Sequence, residues 1–287
     1  MDNLTNILTI KDLLHRHGFS FSKSLGQNFL INPSVCPRMA DLCGAKKGVG
    51  VIEIGPGFGV LTHELCKLAD KVVSIELDKR LMPVLKETLC EHDNFKLINE
   101  DVLKVDMHKL IKEEFDNMEV VVCANLPYYI TSPVIMKLLE DKLPINSITV
   151  MVQKEAAQRL CAKIGTRDSS SITVAVNYYS EPNLLFHVSR GSFMPAPNVD
   201  SAVIRLDISD KPRVLSKSEK MFFTVVKAAF AQRRKTVVNS ISSTMGIQKS
   251  EIAQVLVDNS ISETVRAEQL TLEQFAQIAD NLFERGN

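Results

Sequence analysis

No stretch of this 287-residue chain is apolar for the roughly 20 residues that a membrane-spanning helix needs. The opening Met1-Asp2-Asn3 has neither the basic start nor the apolar core of a secretory leader. A soluble, cytoplasmic protein is expected. Cysteine is present but unpatterned: Cys36, Cys43, Cys66, Cys90, Cys123 and Cys161 are scattered, and no two are spaced as Cys-x-x-Cys. That removes the usual zinc and disulfide frameworks, so buried free thiols are expected and no metal site is assigned. Net charge is missing too. Lys plus Arg and Asp plus Glu each number 34, which denies the chain the overall positive field of a general nucleic-acid binder and leaves such binding to local clusters. Neither Gly-x-Gly-x-x-Gly nor a Walker Gly-Lys-Ser/Thr occurs, which counts against NAD and ATP.

What is present is an alternation. With 45% hydrophobic residues the chain can build one sizeable core and a smaller one. Ile10, Leu13 and Leu14 mark a leading helix closed by Gly18; Lys23 to Asn32 reads as a loop. Ser34 is placed to cap a helix with Pro37 at its third position and Val35, Met39 and Leu42 inward, ending at Gly44. Strands are predicted at Val49–Ile54, Lys71–Glu76, Phe95–Asn99, Glu119–Ala124 and Ser147–Gln153. Helices between and after them are predicted at Val60–Ala69, from an Asp78 cap to about Glu91, and at Met107–Phe115, Ser132–Glu140 and Lys154–Lys163. Such alternation implies parallel βαβ units.

Ser171–Tyr179 fits strand or helix equally. Leu184–Val188 and Ser201–Ile208 read as late strands, paired antiparallel at the sheet's edge through the Phe193-Met194-Pro195-Ala196-Pro197 loop. Beyond about residue 209 apolar residues fall at helical spacing in Met221–Phe230, Glu251–Val257 and Leu272–Leu282, so the expected domains are 1–209, α/β, and 210–287, helical.

Four strand ends carry the chemistry. Gly55-x-Gly57-x-Gly59 follows one strand and opens a helix, where glycine lets a ligand approach the backbone; an ordinary tight turn would look similar. Glu76 ends the next strand 21 residues after Gly55, near the interval at which a carboxylate reaches ribose hydroxyls. Asp101 could accept from an adenine amino group or simply cap a helix. Together these residues point to a nucleoside-bearing cofactor and resemble the S-adenosylmethionine site of class I methyltransferases. Asn125-Leu126-Pro127-Tyr128 resembles the Asn/Asp-Pro-Pro-Tyr motif of enzymes that methylate an exocyclic amine on a nucleobase. Asn is no base, so its work there is orientation: the Asn125 oxygen and Leu126 carbonyl accept the amine hydrogens, and Tyr128 stacks on the ring. Phe193 is a candidate for the other face of the base or, alternatively, an edge-strand staple.

Taken with Gly26-Gln27-Asn28-Phe29-Leu30, Glu53-Ile54-Gly55-Pro56-Gly57-Phe58-Gly59, Glu76-Leu77-Asp78, Asn99-Glu100-Asp101 and the Phe193–Val203 stretch, the chain resembles the ribosomal RNA small-subunit adenine N6,N6-dimethyltransferases known as KsgA or RsmA, over nearly its whole length. The resemblance implies a mixed seven-stranded sheet of Rossmann-like type with a small all-helical C-terminal domain. It also implies S-adenosyl-L-methionine held by Asn28, Leu30, Gly55, Gly57, Glu76, Asp101 and Asn125, and methylation of two adjacent adenosines near the 3′ end of 16S rRNA in the 30S subunit. Arg233, Arg234 and Lys235 would then touch phosphate, although a solvated helix face would look the same. A monomer is expected. The neutral total and a helical end carrying only two more basic than acidic residues over 190–287 fit recognition of a preassembled particle by shape.

Three alternatives stand beside this reading. An Erm-type enzyme would methylate one adenosine of 23S rRNA; the Asn-Leu-Pro-Tyr wording and the Phe193 loop favour the first reading over it. A non-catalytic assembly or transcription factor on the same scaffold would not need an intact Asn125, Tyr128 and glycine turn. A DNA adenine methyltransferase would need a target-recognition domain that the sequence does not offer.

Overall fold

The computed structural model describes residues 4–18 and 28–285. Lys23 to Gln27 of the predicted loop, with the Gly26-Gln27 pair, therefore lie outside the described residues. In chain order the helices and strands are α1 (Ile7–Arg16), β1 (Phe29–Leu30), α2 (Val35–Leu42), β2 (Val49–Ile54), α3 (Val60–Leu68), β3 (Lys71–Glu76), α4 (Leu81–Thr88), β4 (Phe95–Asn99), α5 (Met107–Phe115), β5 (Glu119–Asn125), α6 (Thr131–Glu140), β6 (Ser147–Gln153), α7 (Lys154–Leu160), α8 (Ser171–Tyr179), β7 (Ser180–Val188), β8 (Phe193–Met194), β9 (Ser201–Ile208), α9 (Glu219–Phe230), α10 (Val237–Met245), α11 (Lys249–Asp258) and α12 (Leu272–Arg285).

Seven strands form one sheet in the order β4-β3-β2-β5-β6-β9-β7. The first five pair in parallel and β9 runs antiparallel to β6, which makes the sheet mixed. Their sequences explain the parallel core: β2 is buried at every residue, as a strand covered on both faces must be. From β2 the chain moves outward to β3 and β4, then returns to β5 on β2's other side. The β2–β5 junction is thus the topological switch point, beyond whose carboxyl ends such sheets bind ligands. Phe193-Met194 of the proline loop does more than connect: it pairs with Phe29-Leu30 in a separate antiparallel ribbon, Leu30 opposite Phe193.

Several expectations are corrected. Asp78 does not cap α4; its carboxylate takes the Arg80 amide at 3.1 Å and the Arg80 guanidinium at 2.7 Å, and the helix begins at Leu81 and ends at Thr88, short of Glu91. Ser34 sits at the N-cap of α2 without capping, because its hydroxyl donates to Asn32 at 2.9 Å. Leu42 is exposed, and Cys36 and Ala40 take inward places beside Val35 and Met39. The Ser171–Tyr179 ambiguity resolves as a helix opened by a reciprocal Ser170–Thr173 capping box. Gly18 closes α1 with φ 58°.

The chain divides into two compact units: Met1–Ala157 with Asn183–Ile208, and Gln158–Pro182 with Ser209–Asn287. The expectation left residues 158–182 in the first. Ring packing draws them into the second, where Tyr178 and Tyr179 of α8 meet Phe222 and Phe223 of α9 at centroid distances of 4.8 to 5.5 Å. That unit contains a helix the periodicity missed, α10, capped by Thr236 and stopped by Gly246 at φ 72°. Among the described residues no helix is long and apolar enough to cross a membrane.

Candidate active site

The glycine turn after β2 is held from two sides. Gly55, Gly57 and Gly59 have φ of 70°, 60° and 88°, the left-handed region that penalises a side chain. Space adds a second reason. A Cβ on Gly57 would come within 3.2 Å of the Phe29 ring, and one on Gly59 within 3.1 Å of Leu89. Phe29 and Phe58 stack with centroids 4.0 Å apart, so β1 and the turn share one apolar contact. Below the turn lies Glu53, fully buried, whose Oε2 accepts from Thr62 of α3 at 2.7 Å and Ser74 of β3 at 2.6 Å. Among the described residues its Oε1 has no hydrogen-bond partner, and burial pushes its pKa up to about 7.

Glu76, the last residue of β3, is also buried, and its Oε1 accepts from the Asp78 amide at 2.7 Å. Desolvation raises its pKa to about 7, with the Asp78 amide opposing and the Asp78 charge adding to the rise. Asn99 of β4 donates to the Glu76 carbonyl at 2.7 Å and so fixes the two strand ends together. Asp101 follows. Its carboxylate accepts from the Leu103 amide at 3.0 Å; α5 is instead capped by Asp106, whose side chain takes the Lys109 amide at 3.0 Å.

At the end of β5, Asn125 is half-buried and stands opposite Met151 of β6. Leu126 is buried, Pro127 turns the chain with φ −56° and ψ 134°, and Tyr128 to Ile130 form a single 3-10 turn. The Tyr128 hydroxyl lies 2.7 Å from the buried Ser201 hydroxyl at the start of β9. Burial raises the Tyr128 pKa, so the phenol stays neutral.

One cavity of about 340 Å³ joins these pieces, a volume in the range of small-molecule sites. Asn28, Leu30, Gly55, Gly57, Glu76, Asp101, Asn125, Leu126, Tyr128 and Phe193 all line it. Phe193 is at once buried in the core beside Leu30 and part of the wall, so packing and lining coincide in it. Arg233, Arg234 and Lys235 belong to the other unit, exposed in the turn between α9 and α10 and not on a helix face. Sequence reasoning missed Ser201 and the apolar wall of Leu77, Val102 and Leu103. A buried serine at a strand start gives no local signal. The wall residues directly follow Glu76 and Asp101, and that adjacency was readable.

A lining of this kind suits a nucleoside: carboxylates at Glu76 and Asp101 as acceptors, and Ile75, Leu77, Val102 and Leu103 as apolar faces. Residues 18–284 match the family of ribosomal RNA adenine dimethylases. The chain belongs to that family. It is 46% identical over 286 residues to the ribosomal RNA small subunit methyltransferase A of Alkaliphilus oremlandii, covering 99% of this chain and all of that one. Among solved structures it is similar to a dimethyladenosine transferase from Plasmodium falciparum, with a TM-score of 0.74 and 26% identity over 90% of this chain and 98% of that one. It is also similar to the 23S rRNA methyltransferase ErmE, with a TM-score of 0.68 and 25% identity over 89% of this chain and the whole of that one. Membership of the adenine dimethylase family makes the chain an rRNA methyltransferase with a Rossmann-like α/β fold, and it calls for a methyl donor of the S-adenosylmethionine type.

Proposed function

We propose that the protein transfers methyl groups from S-adenosyl-L-methionine to N6 of two adjacent adenosines near the 3′ end of 16S rRNA, giving dimethyladenosines, and that it acts as a monomer on the small ribosomal subunit in the cytoplasm. The observation that carries this is the confluence of Asn125 and Leu126 with Glu76 and Asp101 in one cavity: an amine-orienting strand end faces the same space as two nucleoside acceptors. The donor fits the residues present. Glycine at positions 55 and 57 keeps the backbone bare, and the buried Glu76 carboxylate faces the cavity as an acceptor for the ribose hydroxyls. Bound there, S-adenosylmethionine supplies an electrophilic methyl group on a positively charged sulfur.

The chain's own residues do the rest. Glu76 accepts from the ribose and Asp101 from the cofactor's adenine, while Asn28, Leu30, Gly55 and Gly57 close on the remainder. The Asn125 side-chain oxygen and the Leu126 carbonyl accept the two hydrogens of the target amine in the first transfer and the one that remains in the second, which frees the nitrogen lone pair from the ring as the nucleophile, and the proton lost from N6 at each transfer passes to solvent. Tyr128 stacks on the base. Extruding a base costs a few kcal/mol, and one aromatic stack returns about 1–3 kcal/mol, so a second face from Phe193 tips the balance.

A large-subunit enzyme of the Erm kind shares the scaffold. The higher identity to small-subunit relatives supports the first reading. Incubation with labelled donor and undermethylated small or large subunits, followed by mapping of the modified nucleosides, tests it. Label in two adjacent dimethyladenosines of 16S rRNA is expected; label confined to 23S rRNA would overturn the proposal.

A further inference from the structure

A second group of ligating side chains lies outside the cavity, and nothing in the methyl-transfer reading uses it. His63 stands in the first turn of α3, where its amide bonds the Gly59 carbonyl at 2.9 Å. Glu91 and His92 belong to the turn between α4 and β4. Across that gap His63 Nδ1 and His92 Nε2 approach to 2.7 Å, and Glu91 Oε1 lies 3.5 Å from the former and 4.0 Å from the latter. The rings meet at 63°, edge to face, with the two nitrogens turned toward each other across the gap. The two histidine side chains are 24% and 12% exposed and the glutamate 42%, a site that is walled by protein yet open on one side.

We propose that His63, Glu91 and His92 bind one divalent transition cation, with zinc as the reference ion. Two imidazoles and one carboxylate are a donor set for zinc, cobalt or nickel, and a poor one for magnesium or calcium, which favour all-oxygen shells. The geometry is close. With metal–nitrogen distances of about 2.0–2.1 Å, tetrahedral ligands stand about 3.3 Å apart, so the two nitrogens open by roughly half an ångström while Glu91 closes by about 0.2 Å on His63 and about 0.7 Å on His92. In the unliganded pair one imidazole N–H donates to the other ring's nitrogen. On binding, that proton moves to the far nitrogen of its own ring by way of solvent, both lone pairs face the ion, and the ionised Glu91 supplies the third bond. Water fills the fourth position. The ion would tie α3 to the turn that carries Leu89, the residue packed on Gly59, and so brace the glycine turn from behind.

The test is calorimetric titration of the full chain with zinc chloride and, separately, magnesium chloride, repeated on His63→Ala, His92→Ala and Glu91→Gln. One zinc per chain, no magnesium heat, and a loss of roughly tenfold or more in affinity in each histidine variant are expected. The Glu91→Gln change, at an exposed side chain, keeps the fold and should weaken zinc on its own. Cobalt loaded in place of zinc should show ligand-field bands without a thiolate charge-transfer band. Equal zinc affinity in the wild type and all three variants would overturn the proposal, as would a thiolate band, which would put the ion on cysteine.

Discussion

Glu76, proposed as the acceptor for the ribose, sits in a place that disfavours its charge. Burial lifts its pKa to about 7, so near neutrality a protonated fraction remains that accepts poorly from two hydroxyls. Raising the pH ionises it, and affinity for S-adenosylmethionine should therefore climb between about pH 6 and 8 and flatten in Glu76→Gln, as calorimetry across that range will show. Glu76→Ala should cost about 1.5–3 kcal/mol of cofactor binding. Asn125 answers to a different readout: Asn125→Ala should lower kcat on the order of a hundredfold while moving the cofactor Kd much less. Equal losses in both would remove the amide from the orienting role. The Tyr128–Ser201 hydrogen bond at 2.7 Å would make Ser201 a positioning residue for the ring proposed to stack on the base. Ser201→Ala should raise KM for the ribosomal substrate, and the double change with Tyr128→Phe should add little to either single one, a cycle whose coupling is about 0.5–1.5 kcal/mol.

Among the elements, β2 and α3 meet on Glu53, which links Thr62 and Ser74 through one carboxylate oxygen and leaves the other buried without a partner among the described residues. Its native pKa of about 7 lies above the ordinary glutamate value. The stability tied to its proton is therefore fully present below that ordinary value and is lost as pH rises through about 7. Urea unfolding of the wild type should weaken over that window relative to Glu53→Gln, whose side chain does not ionise. The elements also differ in how legible they are in the sequence. β2, β3, β4, β6 and β9 match their predicted bounds because each is an apolar or β-branched run cut off by glycine, a carboxylate or a loop. Helix α8 could not be told from a strand because Thr173 to Tyr179 are all buried, which erases the 3.6-residue stripe. The β1–β8 ribbon was beyond reach for another reason: two-residue strands have no period, and the partners are distant in the sequence. For the site, residue types at strand ends identified the lining, whereas Ser201 and the Phe29–Phe58 stack depend on tertiary packing alone.

At the scale of the whole molecule the balance of 34 basic and 34 acidic residues leaves little long-range pull on RNA. Local clusters must then set the salt dependence, and Arg233, Arg234 and Lys235 are exposed together in one turn. Replacing all three with alanine should weaken small-subunit binding and flatten the slope of log K against log salt by about 2–3, with cofactor affinity unchanged. Filter binding at several salt concentrations measures both; an unaltered slope would take the cluster off the phosphate backbone. The pairing of Phe29-Leu30 with Phe193-Met194 has a bearing on the order of events during synthesis. Protein chains emerge from the ribosome amino end first. One wall of the cavity thus waits, half made, until residues 193 and 194 leave the exit tunnel, and a nascent chain that already carries the glycine turn, Glu76 and Asp101 has an unfinished cavity until then.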